Sequence, residues 1–165
     1  MWDKSQIRQA ADLLDRFRQR RLKLAVAESC TGGLVAALLT EIAGSSDVFD
    51  RGFVTYSNEA KQQLLGVPQP TLQTHGAVSE QTAIAMAEGV IAHSQGNIAV
   101  SITGIAGPGG GSADKPVGLV YIGMAARDGQ GTAERFLFTG TRHIIRMAAV
   151  HAALEVFDSG LKRIA

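Results

Sequence analysis

The chain has 165 residues, 45% hydrophobic and 19% charged, with a formal net charge of +1, which suits one ordinary soluble domain over 1–165 and implies no nucleic-acid partner. The single cysteine, Cys30, excludes an internal disulfide and fits a reducing compartment. No stretch approaches the ~20 apolar residues of a membrane span, and Asp3 with the polar stretch after it does not resemble a signal peptide, so no membrane is implied and a cytoplasmic location is expected.

From Asp3 to about Arg20, Ile7, Ala10, Ala11, Leu14 and Phe17 recur at helical spacing and predict an amphipathic helix. The basic residues Arg16, Arg18, Arg20, Arg21 and Lys23 at its end read as a solvated face. Leu22 to Ala27 is a short apolar run that predicts a strand, and a helix is expected from about Thr31 to Ile42, ending at Gly44. Ser45 to Asp47 continues as loop, and Gly52 to Tyr56 reads as a second strand. Ser57 or Asn58 caps a short helix that Gly66 and Pro68 terminate, with Lys61 in its first turn. A loop is expected around Pro70 and His75. Ser79 then caps a long helix through about Ser94, with Ala83, Met86, Ala87 and Val90 on its buried stripe.

Asn97 to Thr103 predicts a further apolar strand. Thr103 to Ser112 holds five glycines and a proline in ten residues and reads as a backbone-rich loop. Val117 to Ala126 and Thr132 to Thr139 flank a turn at Arg127 to Gly131 and predict an antiparallel hairpin. Thr141 caps a last helix that runs to Gly160. This order predicts an α/β fold, a three-layer α/β/α domain whose mixed, mostly parallel sheet has about five strands, one of them running against the others. Ligands of such sheets bind beyond the carboxyl ends of the strands, where those ending near Ser29, Tyr56 and Thr103 would present polar tips.

The chemistry concentrates at Ala27-Glu28-Ser29-Cys30-Thr31-Gly32-Gly33. A strand-to-helix junction with a glycine turn holds a side chain near the free N–H groups of a helix start, where an anion is stabilised. Ser29 there reads either as a nucleophile or, with Thr31, as a helix cap. A serine nucleophile needs a base, and a lysine serves only with a lowered pKa. Lys61 in a first helical turn opposes the macrodipole and, if buried, favours its neutral form; the other reading is a surface lysine. Tyr56 reads as a proton relay, an orienting group or a packing residue. Cys30 is a rival nucleophile because a helix start favours thiolate, although His75, His93, His143 and His151 show no local pairing with it. The histidines carry no metal pattern and no metal is expected. The glycine-rich loop has neither Walker A nor Rossmann spacing, and it reads as a cradle for phosphate, ribose or carbonyl oxygen, or as a surface loop. Arg142 reads as a phosphate contact or a plain salt bridge.

Five segments together, Ala27 to Gly33, Gly52-Phe53-Val54-Thr55-Tyr56-Ser57-Asn58-Glu59-Ala60-Lys61, His75-Gly76-Ala77-Val78-Ser79, Thr103-Gly104-Ile105-Ala106-Gly107-Pro108 and Lys115-Pro116-Val117-Gly118, resemble the CinA carboxy-terminal-domain family over about Leu22 to Phe157. Single-domain members are nicotinamide-nucleotide amidases, which hydrolyse nicotinamide mononucleotide to nicotinate mononucleotide and ammonia in pyridine-nucleotide salvage. The resemblance implies Ser29 as nucleophile, Lys61 as general base and Tyr56 in support. Cys30, Thr31, Gly32, Gly33, Asn58, Thr103, Gly104 and Arg142 are expected as substrate or oxyanion contacts around that trio. The resemblance also implies no metal, no cofactor and a homodimer or larger assembly. Gly109 and Thr141 stand where many relatives carry acidic residues. Two other classes stay open: a nucleotide-binding regulatory module without turnover, and an amidase acting through Cys30 on another substrate.

Overall fold

Strand β1 (Leu24–Glu28) is buried at every position because it runs through the interior of a sheet covered on both faces. The computed structural model describes residues 2–164. Its elements in chain order are α1 (Lys4–Gln19), β1, α2 (Leu34–Thr40), a short 3-10 turn at Ser45–Asp47, β2 (Phe49–Val54), α3 (Asn58–Leu65), α4 (Gln69–His75), α5 (Glu80–Ala92), β3 (Ile98–Gly104), β4 (Leu119–Ala126), β5 (Thr132–Leu137) and α6 (Arg142–Arg163). The five strands lie in the order β2-β1-β3-β4-β5. β1 pairs parallel with both β2 and β3, while β4 pairs antiparallel with β3 and with β5. Four strands therefore share a direction and β4 alone opposes them, as the sequence predicts.

The two-residue alternation of the strands divides the core. Leu24, Val26, Val100 and Ile102 face a large cluster with Ala10, Leu14 and Phe17 of α1, Val35 and Leu38 of α2, and Ala149, Ala153 and Phe157 of α6. Ala25, Ala27 and Ala99 face a smaller one with Leu65 of α3, Leu72 of α4, and Met86 and Val90 of α5. Small residues on this second face bring α5 close to the sheet and to α3: a Cβ on Gly123 of β4 would sit 2.3 Å from the Ala83 carbonyl oxygen of α5, and one on Gly89 of α5 would sit 2.2 Å from the Leu65 carbonyl oxygen of α3.

Several boundaries differ from the sequence reading. The loop expected around Pro70 is helix α4, because a proline in the first turn gives up an N–H that has no helical partner there. α2 begins at Leu34 and not Thr31, because Gly32 and Gly33 adopt φ of +58° and +100°. β2 begins and ends a few residues earlier than expected, which leaves Thr55 and Tyr56 beyond its end. α6 does not stop at Gly160, which packs inside the helix against Ile98 and Met124. Among the described residues, no helix is long and apolar enough to cross a membrane.

The close α5–sheet approach gives a stability test. Gly123→Ala forces a carbonyl and a strand apart and is expected to cost ~1–3 kcal/mol or more, whereas Gly109→Ala meets open space. Thermal melts of the two variants should separate, with only the first falling by several degrees.

Candidate active site

Parallel pairing sets Glu28 of β1 opposite Val54 of β2, so the chain leaves both strands at the same level. Ser29 emerges from β1 with its N–H donating to the Ile102 carbonyl of β3 at 2.9 Å, and the Thr55 N–H donates to the Glu28 carbonyl at 2.9 Å. Ser57 then caps α3 by accepting the Ala60 N–H at 3.0 Å. This start aims Lys61 back under the strand ends, where it is fully buried.

The Lys61 amine lies 3.1 Å from Ser29 Oγ, 2.9 Å from the Thr55 carbonyl oxygen and 3.3 Å from that of Tyr56. Burial pushes its pKa down, and the cause acting in the other direction is the Cys30 sulfur. That opposition requires a thiolate, and burial pushes the Cys30 thiol up to about 11, so near neutral pH the lowering prevails. A neutral amine has two N–H donors and one lone pair. Thr55 and Tyr56 offer two carbonyls for the donors, which leaves the lone pair for the Ser29 hydroxyl proton. The arrangement suits an amine that removes a proton from an alcohol.

Ser29, Cys30, Tyr56, Lys61, Ala77, Val78, Thr103, Gly104, Ala106 and Arg142 line a cavity of about 200 Å³. Thr103 is buried and donates its hydroxyl to the Ala77 carbonyl at 2.7 Å, tying β3 to the loop before α5. Ser79 caps α5 by accepting the Thr82 N–H at 3.2 Å, as expected. The Tyr56 side chain is 63% exposed at the cavity rim, and its hydroxyl accepts from Arg142 at 3.4 Å. The residue's grip on Lys61 comes from its backbone carbonyl. Arg142 also donates to the Gly107 carbonyl at 2.9 Å, so it braces the glycine-rich loop. A wider groove of about 500 Å³, lined in part by Asp3, His143, Met147 and His151, contains neither Ser29 nor Lys61. Among the described residues, no three histidine, cysteine, aspartate or glutamate side chains converge to hold a metal ion.

Other predicted contacts lie elsewhere. Asn58 is the first residue of α3, exposed and outside the cavity lining, and Ser57 is the cap in its place. Thr31, Gly32 and Gly33 form the turn behind Ser29 and do not line the cavity. Neither Ser29 nor Thr31 caps α2: the Thr31 hydroxyl is buried without a hydrogen-bond partner. The Cys30 environment runs opposite to the thiolate-favouring helix start expected from sequence, because desolvation dominates and Glu28 adds to it.

Two residues at the site were not singled out from sequence. Glu28, buried at the end of β1, accepts the N–H groups of Gly33, Val35 and Ala36 at 2.9–3.1 Å and so occupies the start of α2. A lone acid closing an apolar run is a usable signal, since a buried charge must find donors. Arg146 of α6 donates to the carbonyls of Cys30 and Thr31, both at 3.0 Å. Its place one helical turn after Arg142 was the available clue.

Comparison with known proteins places the chain in a family. The CinA C-terminal domain profile matches residues 6–161. Over 139 residues the chain is 50% identical to the nicotinamide-nucleotide amidohydrolase PncC of Escherichia coli, covering 84% of each protein. It is 54% identical over 140 residues to a CinA-like protein of Syntrophobacter fumaroxidans, covering 85% of this chain but only 33% of that relative. This chain therefore spans about a third of that longer protein's length. Among solved structures, the competence/damage inducible protein CihA of Agrobacterium tumefaciens superposes with a TM-score of 0.94 at 49% identity, covering 98% of both chains. The chain belongs to the CinA C-terminal domain family.

Proposed function

We propose that this protein is a nicotinamide-nucleotide amidohydrolase that hydrolyses the carboxamide of nicotinamide mononucleotide to nicotinate mononucleotide and ammonia, with Ser29 as nucleophile and Lys61 as general base. The observation that carries the proposal is the fully buried Lys61 amine, held by two carbonyls, at 3.1 Å from Ser29 Oγ. The name of the E. coli relative supplies the substrate, and the relation over 84% of each chain supports carrying it across.

In this mechanism Lys61 accepts the hydroxyl proton as Ser29 Oγ attacks the carboxamide carbon. The proton passes to the leaving nitrogen as the C–N bond breaks, and ammonia departs. Water, deprotonated by the same amine, then attacks the ester at Ser29; the acid product leaves and the serine regains its proton. Backbone N–H groups of the turn after Ser29 receive the charge on the carbonyl oxygen. A cavity of about 200 Å³ is smaller than the ~300–1,000 Å³ of sites that enclose a whole drug-sized ligand. It houses the pyridine carboxamide, and the ribose and phosphate extend toward the rim at Tyr56 and Arg142. Single-thiol chemistry and a nucleotide substrate fit a cytoplasmic setting, in the homo-oligomer that the family resemblance implies.

Ser29→Ala is expected to abolish ammonia release from nicotinamide mononucleotide while leaving the melt and nucleotide binding intact. Turnover near the wild-type rate would reject the nucleophile. Cys30→Ala is expected to keep activity, because the wild-type thiol is protonated and buried; loss of turnover in a folded Cys30→Ala protein would favour the thiol instead.

Lys61 generates two pH predictions. Wild-type kcat/KM should rise with pH through the lowered Lys61 pKa as the amine loses its proton, and Lys61→Met should lack both the rate and that rise. Stability should follow the same titration. Between the lowered folded pKa and the ordinary 10.5, the unfolded chain binds a proton that the folded chain does not, so folding is favoured as pH increases. Denaturant melts should therefore show wild type gaining stability relative to Lys61→Met across that window, and an unchanging difference would count against a neutral amine.

A further inference from the structure

We infer that Arg146 is a positioning residue for this reaction: its guanidinium locks the peptides between Ser29 and Gly32, and so holds the N–H of Cys30, the residue of the turn that lines the cavity beside Ser29, in one orientation as a donor for the oxyanion. The inference rests on the amidase reading above and adds to it a residue that touches neither the nucleophile nor the base.

The turn leaves two donors over. The Ser29 N–H goes to the Ile102 carbonyl, the Gly32 N–H to the Ser29 carbonyl at 3.1 Å, the Gly33 N–H to Glu28, and the Leu34 N–H to the Thr31 carbonyl at 3.2 Å. Among the described residues, the N–H groups of Cys30 and Thr31 have no carbonyl or carboxylate acceptor, and the Cys30 N–H has its own sulfur as acceptor. Because Glu28 fills the start of α2, the helix end does not supply oxyanion donors, and of the two amides the one on Cys30, which lines the cavity, is what the turn offers.

Their direction is set by Arg146. In a trans peptide the C=O and the following N–H point opposite ways in one plane. The Nε–H of Arg146 holds the Cys30 carbonyl at 3.0 Å, which turns the Thr31 N–H away from α6. Its Nη2 holds the Thr31 carbonyl at 3.0 Å, which points the Gly32 N–H back to the Ser29 carbonyl. That bond in turn fixes the Cys30 N–H on the opposite side of its own peptide plane. The left-handed Gly32 (φ +58°) lies against the same guanidinium, with room for a Cβ only 3.5 Å from Nη2. A planar fork spanning two successive carbonyls is a geometry that arginine supplies and lysine does not.

The test compares Arg146→Lys and Arg146→Ala with wild type by steady-state ammonia release from nicotinamide mononucleotide. A second readout is the rate at which a serine-directed fluorophosphonate labels Ser29. The expected result is a kcat fall approaching the ~10²–10³-fold seen when an oxyanion donor is removed, with KM nearly unchanged, and labelling slowed in parallel. Added millimolar guanidinium should restore part of the kcat of Arg146→Ala and leave wild type unaffected. A rise in KM at constant kcat would overturn the inference by making Arg146 a direct substrate contact. So would wild-type kcat in Arg146→Lys, or a folded Arg146→Ala that guanidinium does not rescue. If Arg146→Ala does not fold, Arg146→Lys decides by its kcat and labelling rate. A wild-type protein that is labelled at Ser29 but releases no ammonia would instead reject the substrate reading, with the labelling comparison still judging Arg146.

Discussion

The site depends on an amine buried without a counter-charge. Ionised, such a group carries a desolvation penalty of several kcal/mol, and among the described residues it has two carbonyls and a hydroxyl but no carboxylate as partners. That composition favours the uncharged form and leaves a lone pair available. Three separate elements must meet to build it. β1 ends at Ser29, β2 ends before Thr55, and α3 starts at the Ser57 cap, and the parallel register of β1 and β2 brings these ends to one level. A one-residue slip would turn Ser29 and Thr55 to opposite faces of the sheet. Burial of the small Ala25, Ala27 and Ala99 against α5 holds that register from below.

Electrostatic surroundings differ between the two adjacent candidates, Ser29 and Cys30, and favour the serine as the nucleophile of the proposed reaction. Glu28 neutralises the positive end of α2 through three backbone N–H groups, so the helix dipole has no unpaired terminus to stabilise a thiolate. Cys30 is thereby left with desolvation as the largest influence on its sulfur. Ser29 needs no prior ionisation in the proposed mechanism, where its proton would move to Lys61 as the new bond forms. One buried acid thus disfavours the thiolate of one of two adjacent side chains.

Much of the layout was legible because local rules and tertiary context agreed. The strands expected at 22–27 and 97–103 and found at 24–28 and 98–104, the caps Ser79 and Thr141, and the lone reversed strand all follow from pattern and chain order. Lys61 could be paired with Ser29 from the sequence because a cation in a first helical turn is locally disfavoured, and burial explains why it is tolerated. The misses arose where side chains answer to distant backbone. α4 was hidden by Pro70, whose effect depends on whether it opens a helix or interrupts one. Asn58 and Thr31 looked like contacts, yet a neighbouring serine caps α3 and a preceding acid caps α2. Arg146 reaches a turn 115 residues earlier in the chain; its spacing from Arg142 marks the shared helix face but not the carbonyls it binds.

The last helix carries more of the site than its distance in sequence suggests. Arg142 and Arg146 lie one turn apart on α6, and their guanidinium groups go to the two loops that flank the cavity, one to Gly107 and one to the Cys30–Thr31 turn. Both loops follow strands that end at the same sheet edge, and both contain glycines with positive φ, whose backbone freedom would otherwise cost precision. Below those arginines, Ile145, Ala149 and Val150 are buried against the sheet, so the guanidiniums project from a fixed platform. Flexible loops can therefore present accurately placed amides because each is tied to one rigid helix, and α6 sets their separation by its own 3.6-residue turn.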